Sequence, residues 1–76
     1  MKQVHAGLTY RSQLESDNRE GWTALALYKG DETLPVMRVI FWDAAGQFVV
    51  ESIAGEIPLA IVEALIEEAK TQIKIR

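Results

Sequence analysis

The stretch Trp22 to Lys29, WTALALYK, is apolar at both alternating sets of positions, and this limits the folds open to the chain. Side chains along a strand point to opposite faces in turn. One set is Trp22, Ala24, Ala26 and Tyr28; the other holds Leu25 and Leu27. A strand built from them must be covered on both sides. A second run, Val36 to Asp43, is interrupted only by Arg38 and puts the neighbours Phe41 and Trp42 on opposite sides of a sheet. With 76 residues, a domain hides only about 60% of the surface its unfolded chain exposes, so apolar surface on both faces is hard to shelter alone.

The flanking segments supply the other elements. From Val4 the even positions Val4, Ala6, Leu8, Tyr10 and Leu14 are apolar and the odd ones largely polar, which predicts one half-buried strand with Gly7 marking a bulge. Ser16 to Gly21 is dense in turn-forming residues and reads as the first loop. Pro35, unable to donate to a ladder, suits the entrance to the strand 36–43. Asp43-Ala44-Ala45-Gly46 fits a hairpin loop with glycine in the left-handed position, returning the chain antiparallel over Gln47 to Ile53.

The period then changes. Gly55, Glu56 and Pro58 form a helix-start signal, with Glu56 at the positive end of the helix dipole and Pro58 in the first turn. Leu59, Ile61, Val62, Leu65, Ile66, Ala69 and Ile73 then cover an arc of about 160°, wider than the roughly 100° stripe a helix needs to lie on a sheet. Glu63, Glu67, Lys70 and Lys74 form the opposite, solvated stripe, with Glu67 and Lys70 placed to pair across one turn.

These elements predict a single small α+β domain over residues 1–76: a four-stranded antiparallel β-meander followed by one C-terminal α-helix packed on one sheet face, ββββα. The helix is expected to cover Leu8, Leu25, Leu27, Val39, Phe41, Phe48 and Val50. The other face then carries Trp22, Tyr28, Arg38, Ile40, Trp42 and Val49, the candidate interaction or ligand face. An apolar patch of several hundred Å² marks an interaction site. Either loops or the N-terminal segment fold back over it, or a partner covers it. A second copy of the chain is the expected partner, because closed homodimers are the commonest oligomers.

Composition excludes much else. The chain has no cysteine, which removes disulfides, thiolate ligands and Cys-His catalysis and fits a reducing compartment. No apolar run resembles a signal peptide or membrane span, so the expectation is a soluble, cytoplasmic protein. Residues 1–38 carry five basic and five acidic side chains; residues 39–76 carry Lys70, Lys74 and Arg76 against six acids, giving the net charge of −3. No basic block seeks phosphate or anionic lipid.

Enzyme signals are weak. His5 is the sole imidazole and falls on the polar set of its strand. Ser12, Ser16 and Ser52 lack a nucleophile elbow. Glu67 and Glu68 point about 100° apart on a helix, and Asp31-Glu32 alone is no calcium loop. Gly30 and Gly46 are isolated hairpin glycines, not a phosphate loop. Neither a cofactor nor a metal is expected.

Arg38 and Trp42 lie four apart on one side of a strand, with Trp22, Tyr28 and Arg11 as possible neighbours. Such rings with arginine can stack the bases of a single strand. The strand order followed by a helix resembles, in architecture and without a shared sequence motif, the half-unit of dimeric single-strand-binding proteins of the PC4 and Whirly type. That resemblance implies single-stranded nucleic acid on the aromatic sheet face, whereas the acidic balance runs against it. The sequence therefore favours a homodimeric protein-interaction module, adaptor or regulator, over a binder of single-stranded nucleic acid or a flat small ligand.

Overall fold

The computed structural model describes residues 1–73. They form β1 (Lys2–His5), β2 (Leu8–Asp17), β3 (Trp22–Lys29), β4 (Met37–Trp42), β5 (Gln47–Ser52) and the helix α1 (Leu59–Gln72). The strands make one antiparallel sheet in the order β1-β2-β3-β4-β5, and α1 packs on one of its faces. The class is α+β, with five strands where the sequence predicts four.

The extra strand comes from a two-residue hairpin. Ala6 and Gly7 both take positive φ, 51° and 79°, and His5 stands directly opposite Leu8. Paired positive φ values match the twist of flanking strands, and glycine adopts them freely; alanine does so only at a cost. Such a turn sets odd residues of β1 against even residues of β2, so Val4 shares a face with Thr9 and not with Leu8 or Tyr10. The unbroken even-numbered alternation thus hides a change of face. The predicted bulge at Gly7 is this turn.

The other turns follow local chemistry. The Asp17 carboxylate accepts the backbone N–H of Arg19 and of Glu20 at 2.9 and 3.1 Å, closing the link from β2 to β3. Gly46, at φ 64°, donates its N–H to the Trp42 carbonyl at 2.8 Å and closes the β4–β5 hairpin. Pro58 caps α1 from outside the helix: its ψ is 136°, and its carbonyl accepts from Ile61 and Val62. Glu56 precedes that cap, so the first turn carries no acid.

The core lies between α1 and the central strands. Leu25, Leu27, Met37, Val39 and Phe41 cluster with Ile61, Leu65, Ala69 and Ile73, and Tyr10 and Val36 close the ends. Phe41 and Phe48 meet edge to face at 5.0 Å. The largest fully buried side chains are Leu25, Leu27, Ile61 and Leu65, each worth about 1.5–3 kcal/mol against exposure. The helix is narrower than the sheet. Leu8 and Val50, which belong to this face, remain exposed, and Leu59 points to solvent instead of joining the core. Glu67 reaches Lys70 at 3.8 Å on the outer stripe; Lys74 lies outside the described residues.

Glu68 turns inward, unlike Glu67. Its carboxylate accepts from the Ser12 hydroxyl and the Met1 amino group, each at 2.7 Å, tying α1 to β2 and the segment before β1. Burial pulls its pKa upward. The hydrogen bonds from the Met1 ammonium and Ser12, with the ammonium charge, outweigh that and hold the carboxyl below its ordinary value.

Candidate interaction face

Strand parity decides which side chains face away from α1. On β3 these are Trp22, Ala24, Ala26 and Tyr28; on β4, Arg38, Ile40 and Trp42; on β5, Gln47, Val49 and Glu51. All six sequence-predicted residues, Trp22, Tyr28, Arg38, Ile40, Trp42 and Val49, therefore share the sheet face opposite the helix. Register aligns them in rungs: Trp22 with Trp42, Ala24 with Ile40 and Val49, and Ala26 with Arg38 and Glu51. From β2 the same face receives Arg11, Gln13, Glu15 and Asp17.

Two alanines organise this surface. Ala24 and Ala26 are both 0% exposed although no helix covers them. Large rings at the two ends of β3 lean over the low ground they leave. The Tyr28 hydroxyl donates to Glu15 at 2.6 Å, although Tyr28 stands opposite Arg11 and Glu15 opposite Ala24. The Trp22 ring lies 5.6 Å from the guanidinium of Arg38, which stands two residues before Ile40, the partner of Ala24, and so two rungs away from Trp22. Arg11 closes the other end, with its guanidinium 4.5 Å from the Tyr28 ring centre.

One ion pair spans this face. Arg38 donates through Nε to the Glu51 carboxylate at 2.7 Å, across the β4–β5 rung. Donating to Glu15, together with burial and that carboxylate's charge, raises the Tyr28 pKa above its ordinary value; Arg11 and Arg38 oppose this more weakly.

The expected broad apolar face is thereby narrowed. Tyr28 and Ile40 are only 7% and 5% exposed, closed over by the chain's own side chains. Trp22, Arg38 and Trp42 are half-buried, and Val49 is 39% exposed. What stays open is the Trp22–Trp42 rung with Val49 beside it, at the end near the 43–46 turn. Glu15 and Glu51 complete the network, and sequence reading missed the former as a participant. Its odd parity on the first predicted strand was visible, but its reach to Tyr28 depends on register.

Other singled-out residues do not converge. His5 is exposed on β1, Ser16 and Ser52 are exposed, and Ser12 is engaged by Glu68. Asp31 and Glu32 are exposed in the β3–β4 turn. Among the described residues no group of three or more His, Asp or Glu side chains is placed to hold a metal ion. An open groove of about 510 Å³ runs along residues 31–36 with Ile53 and Ala54, away from the aromatic face. Within the described residues, no helix is long and apolar enough to cross a membrane.

No protein-family model matches the chain, no curated protein is similar to it, and no solved structure matches it.

Proposed function

We propose that this chain is a small homodimeric protein-interaction module, an adaptor or regulator without catalytic chemistry or cofactor, working in the cytoplasm. The observation that carries the reading is the half-exposed Trp22–Trp42 rung with exposed Val49, on the sheet face that α1 leaves open. Tryptophan is the side chain that contributes most when an interface removes it from water. The absence of cysteine fits a reducing compartment. Light scattering over a concentration series, read together with iodide quenching of tryptophan fluorescence, is the test. A persistent dimer supports the reading, and emission that becomes protected on dimerisation and is lost in Trp42→Phe places the contact on the rung itself; a strict monomer at several hundred micromolar sinks it.

A second reading rests on Arg38 over Trp22, a cation–π pair beside Trp42 that resembles a stacking platform for a base or another flat ligand. It requires Arg38 to leave Glu51 before meeting a phosphate. A low-salt gel shift with short oligonucleotides decides between the two: binding lost in Trp42→Ala favours this second reading.

A further inference from the structure

The two edges of the sheet differ. β1 is four residues long, Lys-Gln-Val-His, fully exposed and edged by a lysine, a device that discourages strand addition. β5 is six residues long, Gln-Phe-Val-Val-Glu-Ser, without proline or glycine. Its charge, on Glu51, is already neutralised by Arg38. Val49 and Val50, on opposite faces of this strand, are 39% and 52% exposed.

The ladder fixes which β5 groups are free. The Trp42 carbonyl accepts from Gly46 on the β5 side, so even-numbered residues of β4 direct their backbone groups toward β5; Val36, just before β4, follows with its carbonyl, which accepts from Ile53, while its N–H turns back to Leu27 of β3. On the other side Asp43 donates to Gly21, which turns odd-numbered residues of β4 toward β3, as alternation requires. The β5 residues opposite even β4 positions are Gln47, Val49 and Glu51. The N–H and C=O groups of Phe48, Val50 and Ser52 therefore point outward.

The helix adds to the same side. Glu68 marks the flank of α1 facing β2. At about 100° per residue, Leu59, Val62 and Ile66 lie on the opposite flank. Leu59 is exposed, Val62 and Ile66 are half-buried, and Ile53 beyond β5 is exposed. The chain exposes 5167 Å², against about 4,700 Å² for a compact monomer of its mass. That excess of roughly 500 Å² belongs to the whole chain; Val50, Ile53 and Leu59 are exposed on the β5 side of it, and a stable interface takes about 800 Å² from each partner.

We infer that a second copy of this chain pairs antiparallel along β5, joining the two sheets into one continuous sheet of ten strands. This rests on the homodimeric reading above for the dimer alone: the copies meet along β5, and the Trp22–Trp42 rung stays quenchable and open to a protein partner. The two-fold axis, perpendicular to the sheet, passes by Val50. In that register Val50 faces Val50 of the second copy and Phe48 faces its Ser52, and the outward groups of all three residues are satisfied on both chains. A register centred on Val49 would satisfy only Phe48 and Val50. Both helices then lie on one side of the joint sheet and both tryptophan rungs on the other.

Val50→Pro tests the seam cleanly, since its N–H points outward and its loss leaves the β4–β5 ladder whole. Sedimentation equilibrium is expected to show association at least about tenfold weaker for Val50→Pro, and unchanged for the control Val4→Lys on β1. Amide exchange on the unmodified protein is the second measurement and needs no variant to fold. The amides of Phe48, Val50 and Ser52 are expected to be protected at high concentration and to exchange quickly on dilution. A dimer in which these amides stay unprotected overturns the seam and leaves the homodimeric reading standing. A monomer at all concentrations overturns both.

Discussion

Under α1, Leu25 and Val39 sit side by side in a cluster with Ile61 and Leu65; on the reverse of the same two strands, Ala24 and Ile40 sit side by side beneath no helix at all. All of them are buried. The first pair is covered by another element carrying large aliphatic side chains, the second by rings and charged side chains that fold down from the sheet itself. A short chain can thus close one face by adding a layer and most of the other by choosing small residues in its central strand. The second solution ends where the rings end, at the Trp22–Trp42 rung.

The faces are expected to respond differently to truncation. Leu65→Ala, in the covered core, should cost about 3 kcal/mol, a large share of the roughly 4–11 kcal/mol a chain of this length commands. A thermal melt is then expected to fall by about 12–24 °C. Trp22→Ala removes a half-buried ring from above Ala24 and should cost about 1–2 kcal/mol in urea unfolding. If the second exceeds the first, the aromatic side is the true core and the comparison is reversed.

Titration sharpens the contrast. Glu68 has its pKa held down in the folded chain. Its stabilisation is therefore present above the ordinary glutamate value of about 4.3 and is lost as pH falls through the lower folded value. Glu68→Gln should cost about 1–2 kcal/mol at neutral pH, and the gap from the unaltered protein should close in acid. Tyr28 has its pKa held up. Its contribution is present below the ordinary value of about 10 and is lost as pH rises from there through the raised folded value. Tyr28→Phe should cost about 1 kcal/mol at neutral pH, the smallest of these effects, with the gap closing in alkali. Urea midpoints at pH 3, 7 and 11 check both; a gap that fails to close at its own end breaks the assignment of that group to its face.

What the sequence made legible was whatever a single strand or helix decides alone. The bounds of β3, the turn at 43–46, the start of α1 within one residue, and the side on which Trp22, Arg38 and Trp42 fall all follow from local period and turn chemistry. The hairpin at Ala6-Gly7 was not legible, because an alanine at positive φ is not a usual turn signal and the alternation runs through it without a break. Nor was the ring packing over Ala24 and Ala26. It depends on which residues of β2 and β4 stand two rungs away, and that is settled by register between strands. Leu59 shows the same limit for the helix: its period marks it apolar-side, but the width of the sheet leaves it outside.

The order of elements along the chain has a consequence for synthesis. Each strand pairs with its sequence neighbour through a short connection, an arrangement that assembles quickly. About 20 residues separate the end of β5 from the end of α1. At about 5–20 residues per second, a nascent sheet spends roughly 1–4 s with Leu25, Leu27, Val39 and Phe41 open to solvent before its lid emerges. Ribosome-bound chains halted in that interval should recruit chaperones that the finished protein does not.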